Sequence, residues 1–228
     1  MNATRVVRIR ENIFAENTME ARDVRSRLSA AGTIMVNVMA SPGAGKTSLI
    51  LRGIEKLRDR YRIAVIEADL DSTVDADKIT AVGLPAVQIE TGGFCHVDSK
   101  MVQAALREID PASLDLIFLE NVGNLICPAQ SDTGAHINVA ILSVPEGDDK
   151  PLKYPVMFRA VDAVLLNKID FLPVTDFDPA AARERIGVLN ARAPVFEVSC
   201  RTAAGIDEWV SWLVTRIETH RKTGSHPD

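Results

Sequence analysis

"ASPGAGKTS", residues 40–48, decides the fold. It follows "TIMVNVMA" (33–40), a continuous apolar run of the kind buried on both faces of a parallel sheet. "KTSLILRGIEKLRDR" (46–60) comes next, with apolar residues at helical spacing and a charged outer face. A strand, a glycine-rich turn ending in Gly-Lys-Thr, and a helix form a phosphate-binding loop. Small residues at Gly43, Ala44 and Gly45 let the backbone close around phosphates, so that its N–H groups and the start of the helix at Thr47 and Ser48 face an anion. Lys46 supplies positive charge to the β- and γ-phosphates, and the Thr47 hydroxyl suits Mg²⁺. The pattern departs from G-x-x-x-x-G-K-[ST] at its first glycine, which is Ala40 and adds one methyl group.

Outward from this loop, six further strands are predicted: 61–69, 85–90, 114–121, 136–144, 161–168 and 194–199. Helical patterns fall at 10–31, 99–109, 179–190 and 205–220. The alternation implies an α/β fold: a P-loop NTPase domain with a mainly parallel twisted sheet, helices on both faces and an N-terminal helical extension. The expected organisation is a helical segment at 1–32 packed on a nucleotide-binding domain at 33–220, with 221–228 a loose tail. Apolar residues make up 46% of the 228, enough for a full core, and the net charge of −5 offers no basic face for nucleic acid. No apolar run reaches bilayer length. Charges in "MNATRVVRIRENIF" stand where a secretory signal needs apolar residues, so a cytoplasmic protein is expected. Three cysteines form no closed disulfide framework.

The base is read from "LLNKID" (165–170) at the end of a buried strand. Guanine presents two donors, N1–H and the N2 amino group, and the Asp170 carboxylate accepts from both at once. Adenine has no such pair. Asn167 secures the loop and the base edge, and the Lys168 stem covers the ring face. "VSCRT" (198–202) supplies a last loop, in which the backbone of Ser199, Cys200 and Arg201 meets the base carbonyl.

Between these motifs, the strand in "LIFLENVGN" (116–124) ends in Glu120, and Gly123 follows. A carboxylate there suits the Mg²⁺ shell, and a glycine amide approaches the γ-phosphate. In "EADLDSTVDADKI" (67–79), Asp69 and Asp75 are further candidates for the metal–water shell, while Asp71 and Asp77 read as solvated. Asn124, not glutamine, follows Gly123, and no arginine in these motifs is placed as a finger, so slow GTP hydrolysis is expected.

Cys95 and His96 adjoin in "TGGFCHVDS" (91–99), on the same sheet edge, and Cys127 lies four residues past Gly123. Thiolate plus imidazole suits Ni²⁺ or Zn²⁺. Three ligands are too few for a closed tetrahedral site, which leaves room for water or a second copy of the chain. Cys200 and the other histidines are given no metal role.

"SPGAGKT", "TGGFCHVD", "ENVGNLICP", "LSVPEGDDKPLKYP" and "LLNKID" together resemble the hydrogenase nickel-incorporation GTPases of the HypB family, over the chain from about residue 10. Urease- and cobalamin-related accessory GTPases share the fold and are the nearest alternatives. The resemblance implies GTP-dependent homodimerisation, with Cys95, His96 and Cys127 binding Ni²⁺ or Zn²⁺ at the interface. It also implies nickel transfer to a hydrogenase large-subunit precursor, gated by GTP hydrolysis, in partnership with a small zinc-containing maturation protein, HypA. These residues contain no C-x-x-C-G-C cluster or histidine-rich stretch, so no second tight site or nickel store is expected. Lys150 and Lys153 in "DDKPLK" (148–153) are candidates to reach a partner's guanine, against a solvated loop. Two rival functions are a metal-free regulatory guanine switch and a P-loop kinase using ATP.

Overall fold

A computed structural model describes residues 9–69 and 83–223. Seven strands form one all-parallel sheet in the order β3-β2-β4-β1-β5-β6-β7. They are β1 (Ile34–Ala40), β2 (Ile63–Asp69), β3 (Ala86–Glu90), β4 (Leu116–Glu120), β5 (Ile137–Ser143), β6 (Ala163–Asn167) and β7 (Val195–Glu197). Each lies within a segment expected from the sequence. The helices are α1 (Ile9–Ala31), α2 (Lys46–Leu57), α3 (Ser99–Glu108), α4 (Lys150–Lys153), α5 (Pro155–Arg159), α6 (Pro179–Leu189) and α7 (Ile206–Thr223). The last runs three residues beyond its predicted end, and "DDKPLK" holds a helical turn rather than a loop. Pro151 sits in that turn's first positions, where a missing N–H costs nothing.

Alternation along β1 divides the core. Val36 and Val38 face α2 and α7, among Leu49, Ile54, Phe118, Trp209 and Leu213. Met35 faces α1 and α3, with Leu28, Ile66, Val102 and Leu119. Met39 joins a third cluster under α5 and α6, with Phe158, Leu166 and Ile186. Gly53 lets α2 and α7 approach closely, since a Cβ there would lie 3.2 Å from Trp209. Because β4 and β5 flank β1 on opposite sides, the chain reverses its winding beside the phosphate loop, where α/β sheets hold ligands.

α1 docks through Arg25, whose guanidinium donates to both Asp132 oxygens at 2.8 and 3.1 Å and to the Ala135 carbonyl. Next to it, His136 is held neutral. Its Nδ1 accepts from the Met35 N–H at 3.2 Å, so Nε2 carries the proton and donates to Ser29 Oγ at 3.0 Å. Burial, then the charges of His220 and Arg25, push its pKa down to about 4. The folded state therefore binds fewer protons than the unfolded chain between about pH 6.5 and 4. Stability is lost as pH falls through this window, by up to about 3 kcal/mol. Urea unfolding at pH 7 and pH 4.5 checks this: the wild type loses more stability than His136→Gln, which has no ring to protonate.

Candidate functional site

The three loops at the carboxyl edge are held together by one buried side chain. Asn167 Nδ2 donates to the Ala44 carbonyl at 2.8 Å, and its Oδ1 accepts from the Cys200 N–H at 3.3 Å. Gly45 caps α2 with φ of 103°, and a Cβ there would meet Asn167 Nδ2 at 2.5 Å, so only glycine permits this contact. Lys168, in the left-handed region at φ 63°, reaches the Gly43 carbonyl with Nζ at 2.7 Å. The phosphate loop, "NKID" and "SCRT" are thus one unit.

Gly45, Ser48, Asn167, Lys168, Asp170 and Cys200 line a cavity of about 280 Å³, along with Phe171 and Arg201. The Asp170 side chain is only 10% exposed. Its Oδ1 accepts from Ser199 Oγ at 2.6 Å, and its Oδ2 lies 2.9 Å from Arg201 Nε. The Ser199 hydroxyl, then a backbone hydrogen bond and the Arg201 charge, hold the carboxyl below its ordinary pKa. Oδ2 is shielded from solvent yet has no aligned hydrogen-bond donor. A buried acceptor in that condition is a place for a ligand's N–H.

At the front of the phosphate loop, Thr47 Oγ1 donates to Glu120 Oε1 at 2.9 Å, and Lys46 Nζ lies 3.8 Å from the same oxygen. Hydroxyl and carboxylate oxygens side by side fit the hard-ligand preference of Mg²⁺. Gly123 packs on the loop, since a Cβ there would lie 2.9 Å from Pro42 Cγ. Of the two aspartates expected here, Asp69 is the last residue of β2, and Asp75 lies outside the described residues. Glu67, not singled out from the sequence, is buried directly opposite Glu120 on the neighbouring strand.

Cys95, His96 and Cys127 come together: one ligand atom from each lies within 4.8 Å of the others, and all three residues are half-buried. Among the described residues they are the one such group that could hold a metal ion. Interaction with Cys95, then burial, raises the pKa of the Cys127 thiol. The neighbouring side chains Phe94 and Ile126 are 60% and 52% exposed, a large apolar display beside the ligands.

Asn121, also missed in the sequence, connects the two sites. It is fully buried. Its Oδ1 accepts from the Val97 N–H at 3.1 Å, fixing the Cys95–His96 loop to the end of β4. Its Nδ2 donates to Asn37 Oδ1 at 3.1 Å, and Asn37 donates to Asn138 at 3.0 Å. Polar residues at equivalent places in two otherwise apolar strands, β1 and β5, were the available signal. Asn124 Oδ1 accepts from the Ile126 and Cys127 N–H groups at 2.7 and 3.4 Å. Eight consecutive residues, 120–127, therefore touch the phosphate loop at one end and the thiols at the other. Lys153 pairs with Asp149 at the N-cap of its own helix, and Lys150 lies over the Tyr154 ring, 5.3 Å from its centroid; neither belongs to these clusters.

Known proteins share this fold. Residues 34–197 match the CobW/HypB/UreG nucleotide-binding domain family. Hydrogenase maturation factor HypB of Azotobacter vinelandii is 47% identical over 213 residues, 93% of this chain and 70% of the relative. The crystal structure of hydrogenase maturation factor HypB from Archaeoglobus fulgidus superposes with a TM-score of 0.83 at 35% identity, covering 89% of this chain and 99% of that one. HypB from Helicobacter pylori, solved in complex with nickel, gives the same score and identity over 93% of this chain and all of that one.

Proposed function

Because this chain belongs to the hydrogenase maturation factor HypB branch of the CobW/HypB/UreG family, we propose that it is a slow GTPase whose nucleotide state controls capture and release of nickel during [NiFe]-hydrogenase maturation. The observation that carries this reading is the 120–127 segment, which holds Glu120 against Thr47 and Cys127 against Cys95. A change at the γ-phosphate is felt at Gly123 and four residues later at a metal ligand.

In this mechanism Asp170 selects guanine, and the Gly43–Thr47 backbone and Lys46 take the phosphates. Thr47 and Glu120 would hold Mg²⁺, which when bound neutralises developing charge on the phosphates. Gly123 packs at the front of the site, and Asp75 is proposed for the metal–water shell from its place in the sequence alone. Hydrolysis is slow because Asn124, the residue after Gly123, has its carbonyl engaged by backbone N–H groups rather than aimed at a water. Nickel is cargo. Cys95 and Cys127 each lose a proton to take it, and His96 presents a neutral ring nitrogen. Three half-buried ligands leave a coordination position for a second copy of the chain or an acceptor, which suits transfer.

GTP brings two copies together through the apolar display at Phe94 and Ile126. Lys150 or Lys153 then reaches across to the partner's guanine. The protein works in the cytoplasm with HypA and delivers to the hydrogenase large-subunit precursor. Zn²⁺ competes for the same ligands. Titrating the purified protein with Ni²⁺, in GDP and in a non-hydrolysable GTP analogue, while following its mass in solution tests the reading: the two nucleotide states must differ in both.

A further inference from the structure

We propose that the Arg201 guanidinium is an internal stand-in for guanine: it holds Asp170 until a base binds and leaves when the base enters, so it sets how tightly the pocket takes a guanine nucleotide. The inference rests on the guanine reading of Asp170.

The chemistry of the two groups is alike. Guanine's N1–C2–N2 edge is a guanidine unit, so base and side chain offer a carboxylate the same fork of donors. The geometry places them in competition. Arg201 Nε lies 2.9 Å from Asp170 Oδ2, while Ser199 already occupies Oδ1. The ion pair is close but poorly aimed, because Oδ2 has no aligned donor. A planar base entering the cavity supplies aligned N–H groups and gains what the guanidinium does not provide.

Exchange is also mechanically easy. The Arg201 side chain is 75% exposed, and Asp170 is its one ionic partner among the described residues. The backbone beneath it is pinned separately. Arg52 Nε donates to the Cys200 carbonyl at 2.8 Å, and Arg52 Nη2 reaches the Arg201 carbonyl at 3.5 Å. The arm swings out while the loop that meets the base stays in place. Arg201 therefore contributes its backbone to the bound state and its side chain to the free state.

The test is equilibrium binding of fluorescent GDP to the full chain, with ADP as the control base. Release of an exposed ion pair makes Arg201→Ala bind GDP about two- to five-fold more tightly than wild type at low salt. The gain shrinks as salt screens the pair. In an Asp170→Asn background, which has no carboxylate to hold, removing Arg201 leaves affinity for xanthosine diphosphate unchanged. Weaker or unchanged GDP binding by Arg201→Ala, with ADP still rejected, overturns the stand-in alone. ADP bound as tightly as GDP by wild type overturns the guanine reading beneath it.

Discussion

Replacing Asp170 by Asn lowers affinity for GDP and GTP by about two orders of magnitude or more and turns the pocket toward xanthosine nucleotides. In the proposed site the carboxylate offers the acceptor that guanine's two N–H donors need. Each hydrogen bond to a charged group contributes about 1.5–3 kcal/mol, so losing both costs roughly 3–6 kcal/mol. Asparagine also turns an amide donor toward guanine's donor edge, with no acceptor there to meet it. Xanthine carries a carbonyl oxygen where guanine has its amino group, so the same amide meets an acceptor. The local fold survives, because an amide oxygen still accepts from Ser199 Oγ, now at 2.6 Å from Oδ1. Competition between labelled GDP and unlabelled GDP, XDP and ADP reads the change. Undiminished GDP binding by the variant would remove Asp170 from the base site.

Cys95→Ser and Cys127→Ser each abolish tight nickel capture, lowering affinity by about 100-fold or more. Loss of a partner that only orients a metal ligand costs 10- to 100-fold, and loss of a ligand itself reaches at least the top of that range. Serine keeps the shape, but its hydroxyl stays protonated at neutral pH and its oxygen is a poor match for Ni²⁺ beside imidazole. Three ligand atoms within 4.8 Å leave no neighbouring histidine, cysteine or carboxylate to substitute among the described residues. The sulfur-to-nickel charge-transfer absorption reports the loss directly, and thermal melting confirms that each variant is folded. Cys200→Ser is the internal control. Its thiol, pushed up to about 11 by burial, lies in the 198–202 loop and outside this cluster. Retention of the absorption band by both cluster variants would place nickel elsewhere.

The seven strands were readable because a parallel sheet buried on both faces leaves near-continuous apolar runs, and each run here ends at a motif. The motifs that make up the candidate nucleotide site were visible for the same reason. Phosphate loop, "LENVG" and "NKID" all sit where strands end, and local sequence carries their chemistry. Elements whose cause is long-range were not readable. Asn121 acquires its role only when β4 lies beside β1 and presents it to Asn37 and to Val97. The pairing of Glu67 with Glu120 follows from strand register, which no single segment specifies. The short helices α4 and α5 were hidden by Pro151 and Pro155, which read as loop punctuation but occupy first-turn positions. The contact of Arg201 with Asp170 joins two loops 31 positions apart, and the sequence suggested only the loop's backbone role.

In the proposed mechanism segment 120–127 couples the γ-phosphate to the thiols, and coupling of that kind is reciprocal. Nickel affinity measured on the same preparation with GDP and with a non-hydrolysable GTP analogue tests it most directly. A coupling of 1–3 kcal/mol predicts affinities that differ by about 5- to 150-fold, with nickel shifting the preference between the two nucleotides by the same factor. Equal nickel affinity in the two states would mean that the segment does not link the phosphate site to the thiols.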